Sequence, residues 1–244
     1  MNTVNLPVEM SADPSRTAIV VESRDVVLAF GKTPALRGAT LSVRRGEILA
    51  IMGPSGSGKS TLLHCLAGIL VPDHGEVYFA GRRVDKMGEQ ARSSLRRDHF
   101  GFVFQFGQLV PELSAEENVA LPLLLAGVGR AAALRDARTW FGRLQLEGLE
   151  QRRSGELSGG QAQRVALARG LVTHPEVLFA DEPTGSLDSL TGELVMELLV
   201  DAARQEGATV LLVTHEARVA AYADREVVVR DGLVNTLLPD PVAS

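Results

Sequence analysis

A glycine-rich stretch has the residue types and spacing of a phosphate-binding loop. It follows the pattern Gly, four residues, Gly-Lys-Ser/Thr. Its nine residues are Gly53, Pro54, Ser55, Gly56, Ser57, Gly58, Lys59, Ser60 and Thr61. The glycines let successive backbone N–H groups turn toward one phosphate. Lys59 can reach the β- and γ-phosphates of a nucleotide, and the Ser60 hydroxyl can ligate Mg²⁺. The alternative is a flexible Gly/Ser loop without a ligand.

The segments on either side of this loop supply the structural context that the pattern requires. An apolar run, Ile48-Leu49-Ala50-Ile51-Met52, predicts a strand before the loop, and residues 61–67 predict an amphipathic helix after it. The positive end of that helix would point at the bound phosphate. This strand–loop–helix order favours a nucleotide site over a flexible loop.

Polar side chains follow three further apolar runs that read as buried strands. Gln105 follows residues 100–104, Asp181 and Glu182 follow residues 177–180, and His215 comes two residues after the run 209–213. In an open α/β sheet, ligands bind outside the carboxyl ends of the strands. We therefore expect these side chains to converge with the phosphate-binding loop on one nucleotide.

The acidic pair has the chemistry for a metal ion and for water activation. Asp181 is predicted to hold Mg²⁺, as an Asp after an apolar run does in P-loop proteins. Glu182 points differently and is the candidate to orient or deprotonate the attacking water. His215 is expected to contact the γ-phosphate or to hold Glu182 in place. The alternatives are a solvated loop or helix cap for the acidic pair and a structural role for the histidine.

A second candidate anion site lies in Ser158, Gly159, Gly160 and Gln161, a turn that opens a predicted helix. Since the first loop already surrounds the phosphates from one side, the two sites suggest a sandwich of two copies around ATP. Hydrolysis would then open the interface. The alternative is an ordinary N-cap at Ser158.

Composition limits the classes of protein that fit. The chain has 244 residues, 45% of them hydrophobic, and a net charge of −5, which argues against nucleic acid as the main partner. A single cysteine, Cys65, suits a reducing compartment. No apolar run approaches the roughly 20 residues of a membrane span, and we see no secretion signal. We therefore expect a cytoplasmic protein that does not insert into the membrane and is held there, if at all, by a partner.

The order of predicted elements indicates an α/β fold of the P-loop type. We expect a mixed sheet core, an antiparallel β subdomain, and an α-helical subdomain of about 88–165 inserted into a domain of residues 18–238. Residues 1–17 and 239–244 are expected to be tails, the first disordered. The predicted strands are 18–30, 36–44, 48–52, 76–80, 100–104, 177–180, 209–213, 225–230 and 233–238. The predicted helices are 61–67, 88–97, one from 114, 130–146, 162–172 and 190–205.

Leu157-Ser158-Gly159-Gly160-Gln161 is similar to the signature sequence of ATP-binding-cassette (ABC) ATPases. The resemblance covers about residues 20–235 and includes every stretch named above, in the family's order. It implies that ATP and Mg²⁺ are the cofactors, that ATP is hydrolysed, and that two copies dimerise around ATP. Gln105 matches the glutamine that contacts the metal and the reacting site, and Glu182 matches the catalytic glutamate.

The resemblance assigns two further residues. Ser186-Leu187-Asp188 resembles the D-loop, which makes Asp188 a nucleotide-site residue. Phe30 stands where the family usually has a tyrosine that stacks on adenine. A phenylalanine can still stack but lacks the hydroxyl; the alternative is a core aromatic.

Residues 101–111 and 117–122 resemble the lipoprotein-release, macrolide-export and cell-division group of the family. This resemblance implies a membrane permease partner (FtsX/MacB-like) and a location on the cytoplasmic face of the membrane. Residues 105–121 would carry the groove for the partner's coupling helix, with Val110, Leu113 and Leu121 as contacts. Their alternative role is subdomain core.

Our functional hypothesis is an ATP-hydrolysing motor subunit of a membrane transporter complex, working by export or mechanotransmission. A second hypothesis is a non-transporting module that controls cell-envelope enzymes through a membrane partner. A third is a soluble P-loop kinase or a repair-type ABC ATPase. The signature turn disfavours the kinase, and the missing coiled-coil insert disfavours the repair type.

Overall fold

Two β-sheets pack against the helix that follows the phosphate-binding loop. The computed structural model describes residues 18–105 and 107–236, so the two predicted tails lie outside the described residues. The strands are β1 (Ile19–Phe30), β2 (Thr33–Arg44), β3 (Ile48–Met52), β4 (His74–Phe79), β5 (Arg82–Arg83), β6 (Phe100–Phe104), β7 (Val177–Asp181), β8 (Thr209–Val213), β9 (Arg225–Arg230) and β10 (Leu233–Thr236). The helices are α1 (Lys59–Leu66), α2 (Glu89–His99), α3 (Ala115–Leu125), α4 (Arg130–Arg143), α5 (Gly159–Leu171), α6 (Ser189–Glu206) and α7 (Ala217–Ala220), with a 3₁₀ turn at Ser154–Glu156.

The smaller sheet is antiparallel and has the order β2-β1-β4-β5. The larger sheet has the order β10-β9-β3-β8-β7-β6. In this sheet the five strands β9, β3, β8, β7 and β6 run parallel to one another. The edge strand β10 forms an antiparallel hairpin with β9. The predicted mixed α/β fold with an antiparallel β portion is confirmed.

The central parallel strands are apolar without alternation because both their faces are covered. All five residues of β8 are buried, and so are the first four of β7. One core cluster, centred on α1, fills the space between the two sheets. A second covers the opposite face of the larger sheet and includes Trp140 and Phe141 of α4.

Helices α3 and α4 pack on each other and on α5. The predicted capping box at the start of α3 is confirmed, since the Glu117 N–H donates to Ser114 Oγ (3.3 Å) and the Ser114 N–H to the Glu117 carboxylate (3.0 Å). Within the expected insert of 88–165, β6 pairs with β7 in the larger sheet. We propose that α3, α4 and the start of α5 form the helical subdomain.

Several predicted boundaries were wrong for local reasons. The turn after β1 contains only Gly31 and Lys32, and β2 already begins at Thr33. Pro34 is tolerated there because β2 is an edge strand. Helix α5 begins at Gly159, three residues earlier than predicted, since Ser158 is its N-cap. The short elements β5, α7 and the 3₁₀ turn were not predicted.

The described residues include no helix that is both long and apolar enough to cross a membrane.

Candidate nucleotide site

The loop between β3 and α1 has a backbone path that only glycine permits at two positions. Gly53 has φ 145° and Gly58 has φ 105°. A Cβ at Gly53 would lie 2.2 Å from the Val229 carbonyl oxygen, and one at Gly58 would lie 2.5 Å from the Ala35 carbonyl oxygen. The loop is therefore packed against β9 and β2, which fixes its shape without a ligand.

The N-terminus of α1 has the features of an anion-binding site. Gly58 is the N-cap and makes no side-chain capping bond, and the first turn contains no acidic residue. The first N–H groups of α1 can therefore bind an external acceptor. The Ser57 hydroxyl is buried and has no hydrogen-bond partner in the described part of the chain. These unsatisfied donors fit a phosphate group.

The Lys59 ammonium lies directly beneath the loop. Its Nζ donates to the carbonyl oxygens of Gly53 and Pro54, each at 2.9 Å, and the residue is 5% exposed. An ammonium has three N–H donors, so one remains for a phosphate oxygen.

Ser60 and Asp181 bring together the oxygen ligands that a hard cation prefers. The Ser60 hydroxyl donates to Asp181 Oδ1 at 3.0 Å. Burial raises the pKa of Asp181, and the bond from Ser60 opposes that shift. No cluster of three His, Cys, Asp or Glu side chains suited to a metal occurs within residues 18–105 and 107–236. A hydroxyl and one carboxylate fit Mg²⁺ when phosphate and water oxygens complete its coordination.

Glu182, the residue after Asp181, has an unusual backbone conformation. It has φ 47°, in the left-handed region, and its N–H donates to the Val213 carbonyl oxygen at 2.9 Å. The conformation turns the Glu182 side chain toward His215, whose Nδ1 lies 3.2 Å from Glu182 Oε1. A non-glycine residue in this region stores strain that is typical of functional sites.

The carboxyl ends of three neighbouring strands place the remaining side chains nearby. Phe104 of β6 is in register with Asp181 of β7, which is in register with Val213 of β8. Gln105 follows at the end of β6. A Cβ built on Gly185 would lie 2.9 Å from Gln105 Nε2 and 3.2 Å from Glu182 Oε2. The structure thus brings Gln105, Glu182 and His215 to one edge of the sheet.

The signature turn makes only local hydrogen bonds within the described residues. Ser158 Oγ accepts from the Gln161 N–H (3.3 Å), and the Gln161 side chain accepts from the Ser158 N–H (2.8 Å). Gly160 packs against α6, where a Cβ would lie 2.2 Å from Thr191 Cγ2. The ordinary N-cap role of Ser158 is therefore present, and this turn and the phosphate-binding loop share no hydrogen bond among the described residues.

Asp188 and Phe30 lie at the ends of two other elements. Asp188 caps α6, and its side chain accepts from the Thr191 N–H at 3.1 Å and from the Thr191 hydroxyl at 2.7 Å. Phe30 ends β1 and is 57% exposed. The alternative of a core aromatic is wrong, because this ring is open to solvent.

One contact of Gln105 could not be found from sequence. The Ser186 hydroxyl donates to the Gln105 carbonyl oxygen at 2.9 Å across 81 positions of the chain. The sequence offered only the resemblance of Ser186 to the start of the D-loop, and that resemblance does not identify Gln105 as the partner of Ser186.

Comparisons with known proteins agree on one family. The family described as ABC transporter matches residues 36–185. The lipoprotein-releasing system ATP-binding protein LolD of Paramagnetospirillum magneticum is 48% identical over 200 residues, which cover 82% of this chain and 88% of that protein. LolD of Porphyromonas gingivalis is 40% identical over 216 residues, covering 88% and 99%.

Solved structures of ABC cassettes have the same fold. The dimeric post-hydrolysis state of the ATP-binding cassette MJ0796, bound to ADP and Pi, aligns with a TM-score of 0.81 at 36% identity, covering 90% of this chain and 100% of that one. A second dimeric structure of MJ0796 aligns with a TM-score of 0.82. With a phosphate-binding loop and an acidic strand end in one site, the chain belongs to the ABC transporter family as an ATP-binding, ATP-hydrolysing motor subunit.

Proposed function

We propose that this chain binds MgATP through the loop of residues 53–61, with Lys59 on the β- and γ-phosphates and Ser60 and Asp181 as the protein ligands of Mg²⁺. The observation that carries this assignment is the 3.0 Å bond between Ser60 and Asp181, which joins the loop to the acidic strand end. Bound Mg²⁺ would neutralise phosphate charge. The exposed ring of Phe30 supports stacking on adenine.

In the hydrolysis step, Glu182 accepts a proton from the attacking water or orients it. His215, 3.2 Å away, holds the Glu182 carboxylate in the orientation that faces the γ-phosphate. The Gln105 amide lies near the same carboxylate, since both approach Gly185, and it would contact the metal and the water.

Two copies of the chain complete the site in a head-to-tail homodimer. The Ser158 turn starts a 13-residue helix whose N-terminus is exposed, so it suits the γ-phosphate of a neighbouring copy. Leu190 is 79% exposed two residues after Asp188, which supports burial of this surface on dimerisation. The solved cassettes of MJ0796 are dimeric, which supports dimerisation of this chain.

The experiment that tests the dimer uses the Glu182→Gln variant, which would retain ATP. Sedimentation with Mg²⁺ and ATP should give a dimer, and the double variant Lys59→Ala/Glu182→Gln should stay monomeric. A monomeric Glu182→Gln protein with ATP bound, even beside its permease, would overturn the proposal.

We further propose that a membrane permease docks in a groove beside β6 and holds the chain at the cytoplasmic face of the membrane. The groove has a volume of about 430 Å³. Its apolar lining includes Ile69, Phe102, Phe104, Leu121, Pro122 and Leu125. Leu121 is one of the three residues that were predicted to contact the partner in this groove. Val110 and Leu113 do not line the groove, because this loop is instead tied to Asn118, whose amide binds both carbonyls.

The charge of the groove indicates the chemistry of the partner segment. Arg96, Arg97 and Arg169 line it together with the apolar side chains. Burial lowers the pKa of Arg169. Its guanidinium donates to the carbonyl oxygens of Gly107 and Gln108, but the described residues provide no carboxylate within ion-pair distance to neutralise its charge. An amphipathic permease helix with an acidic residue would satisfy both the apolar wall and this cation.

The docking surface is tested by co-purification with the membrane subunit encoded beside this chain. Leu125→Lys, at a 68% exposed groove position, should lose the membrane subunit while keeping ATPase activity. Leu233→Lys, at a 45% exposed position on β10, is the matched control. Equal retention by both variants would place the partner elsewhere.

The names of the relatives favour one cargo class. They belong to lipoprotein-releasing systems, which supports outward-directed work on lipoproteins and favours a permease of that kind over an FtsX/MacB-like one.

A further inference from the structure

The short segment that follows β6 is held by its main-chain carbonyls. Gln163 of α5 is buried, and its Nε2 donates to the Phe104 carbonyl oxygen at 2.9 Å. Arg169, also on α5, donates to the carbonyl oxygens of Gly107 (2.6 Å) and Gln108 (2.8 Å). Gln105, between these residues, is tied to a different element.

That element is the turn after β7. The Ser186 hydroxyl donates to the Gln105 carbonyl oxygen at 2.9 Å. Gly185, the preceding residue, leaves space for the Gln105 side chain, because a Cβ there would lie 2.9 Å from Gln105 Nε2 and 3.2 Å from Glu182 Oε2. The dipeptide Gly185-Ser186 therefore binds the main-chain carbonyl of Gln105 and leaves space for its side-chain amide.

We propose that Ser186 is a positioning residue that holds the Gln105 amide beside the Glu182 carboxylate; this inference rests on the proposed roles of Gln105 and Glu182. A hydrogen bond to the carbonyl of Gln105 restrains the main chain of this residue, from which the side chain extends. Without the hydroxyl, that carbonyl turns to water, and the amide leaves the Glu182 carboxylate. Gly185 contributes by leaving space for both groups, which a side chain at this position would crowd.

The turnover rate and the apparent ATP affinity should respond differently to loss of this hydroxyl. Ser186→Ala should lower kcat by about 3- to 10-fold, the range that one net hydrogen bond supports. The KM for ATP should stay within about twofold, because the phosphate-binding loop makes none of its contacts through Ser186. Ser186→Thr keeps the hydroxyl and should restore kcat. Gly185→Ala should also lower kcat, although the hydroxyl is intact.

Two comparisons separate positioning from a general structural effect. Ser94→Ala removes the same atom on α2, where the described residues give the hydroxyl no hydrogen-bond partner, and it should leave kcat unchanged. In a Gln105→Ala background, Ser186→Ala should cause no further loss, because the side chain that Ser186 positions is gone.

The proposal is overturned if Ser186→Ala and Ser94→Ala have the same kcat. It is also overturned if Ser186→Ala lowers kcat as much in the Gln105→Ala background as in the wild type. The wild type and Glu182→Gln are measured in the same assay. If Glu182→Gln hydrolyses ATP normally, the proposed function fails; if only the serine comparison fails, the positioning role alone fails.

Discussion

The Ser60 hydroxyl donates a hydrogen bond to the Asp181 carboxylate across 121 positions of the chain. One residue begins the helix after the glycine-rich loop, and the other ends a buried strand of the larger sheet. Their contact joins the loop that we propose binds phosphate to the strand end that we propose holds Mg²⁺. The fold thus assembles one nucleotide site from segments that are far apart in sequence.

Glu182→Gln should lower kcat for ATP hydrolysis by about 10²- to 10⁴-fold, because the amide cannot accept the proton of the attacking water. ATP binding should persist, since the phosphate-binding loop is unchanged. Phosphate release and a fluorescent-nucleotide titration measure the two effects. Glu197→Gln, an exposed carboxylate of α6, is the control and should keep normal turnover. Normal hydrolysis by Glu182→Gln would remove Glu182 from the reaction.

Lys59→Ala should weaken ATP binding by roughly 10- to 100-fold, the range of a lost charge-assisted hydrogen bond. Equilibrium dialysis or calorimetry with ATP measures the dissociation constant. Lys86→Ala removes the same charge outside the loop and should leave it unchanged. Equal affinities for the Lys59→Ala protein and the wild type would show that the ammonium stays on the carbonyls of Gly53 and Pro54 when ATP binds.

The elements of the fold could largely be predicted, because the parallel strands are continuous apolar runs and the hairpin and the P-loop have local signals. The strand-end rule also led correctly from Gln105, Asp181 and His215 to one edge of the sheet. These predictions needed only the sequence within each element and one general rule of topology.

Other features depend on contacts between distant segments and have no local signal. The bond from Ser186 to the Gln105 carbonyl joins two loops, and the four-residue helix α7 is too short to show a period. The early start of β2 at Thr33 depends on pairing with β1, which overrides the turn preference of Pro34.

Asp181→Asn should raise the thermal midpoint of the nucleotide-free protein while weakening its response to MgATP. Burial raises the pKa of Asp181, so the folded state binds a proton more tightly than the unfolded state, and the ionised carboxylate opposes folding. The advantage of the amide should therefore grow as pH rises from about 4, the ordinary value for aspartate, through the raised pKa, and then level off.

Differential scanning calorimetry across that pH range measures the difference. Asp201→Asn, at an exposed carboxylate of α6, should show no comparable trend. A thermal midpoint of Asp181→Asn that falls below the wild type as pH rises would contradict the burial argument.

Gly101→Ala should destabilise the fold by about 3 kcal/mol, because β6 and α5 meet here without room for a methyl group. A Cβ at Gly101 would lie 2.0 Å from the Gly170 carbonyl oxygen, and a backbone atom of a packed helix cannot move aside as a flexible side chain can. Urea unfolding gives the free-energy difference. Gly155→Ala adds the same methyl group in open space and should change stability by less than about 0.5 kcal/mol. If both variants unfold at the same urea concentration, α5 must be able to shift from β6, and the groove that these two elements line cannot be rigid.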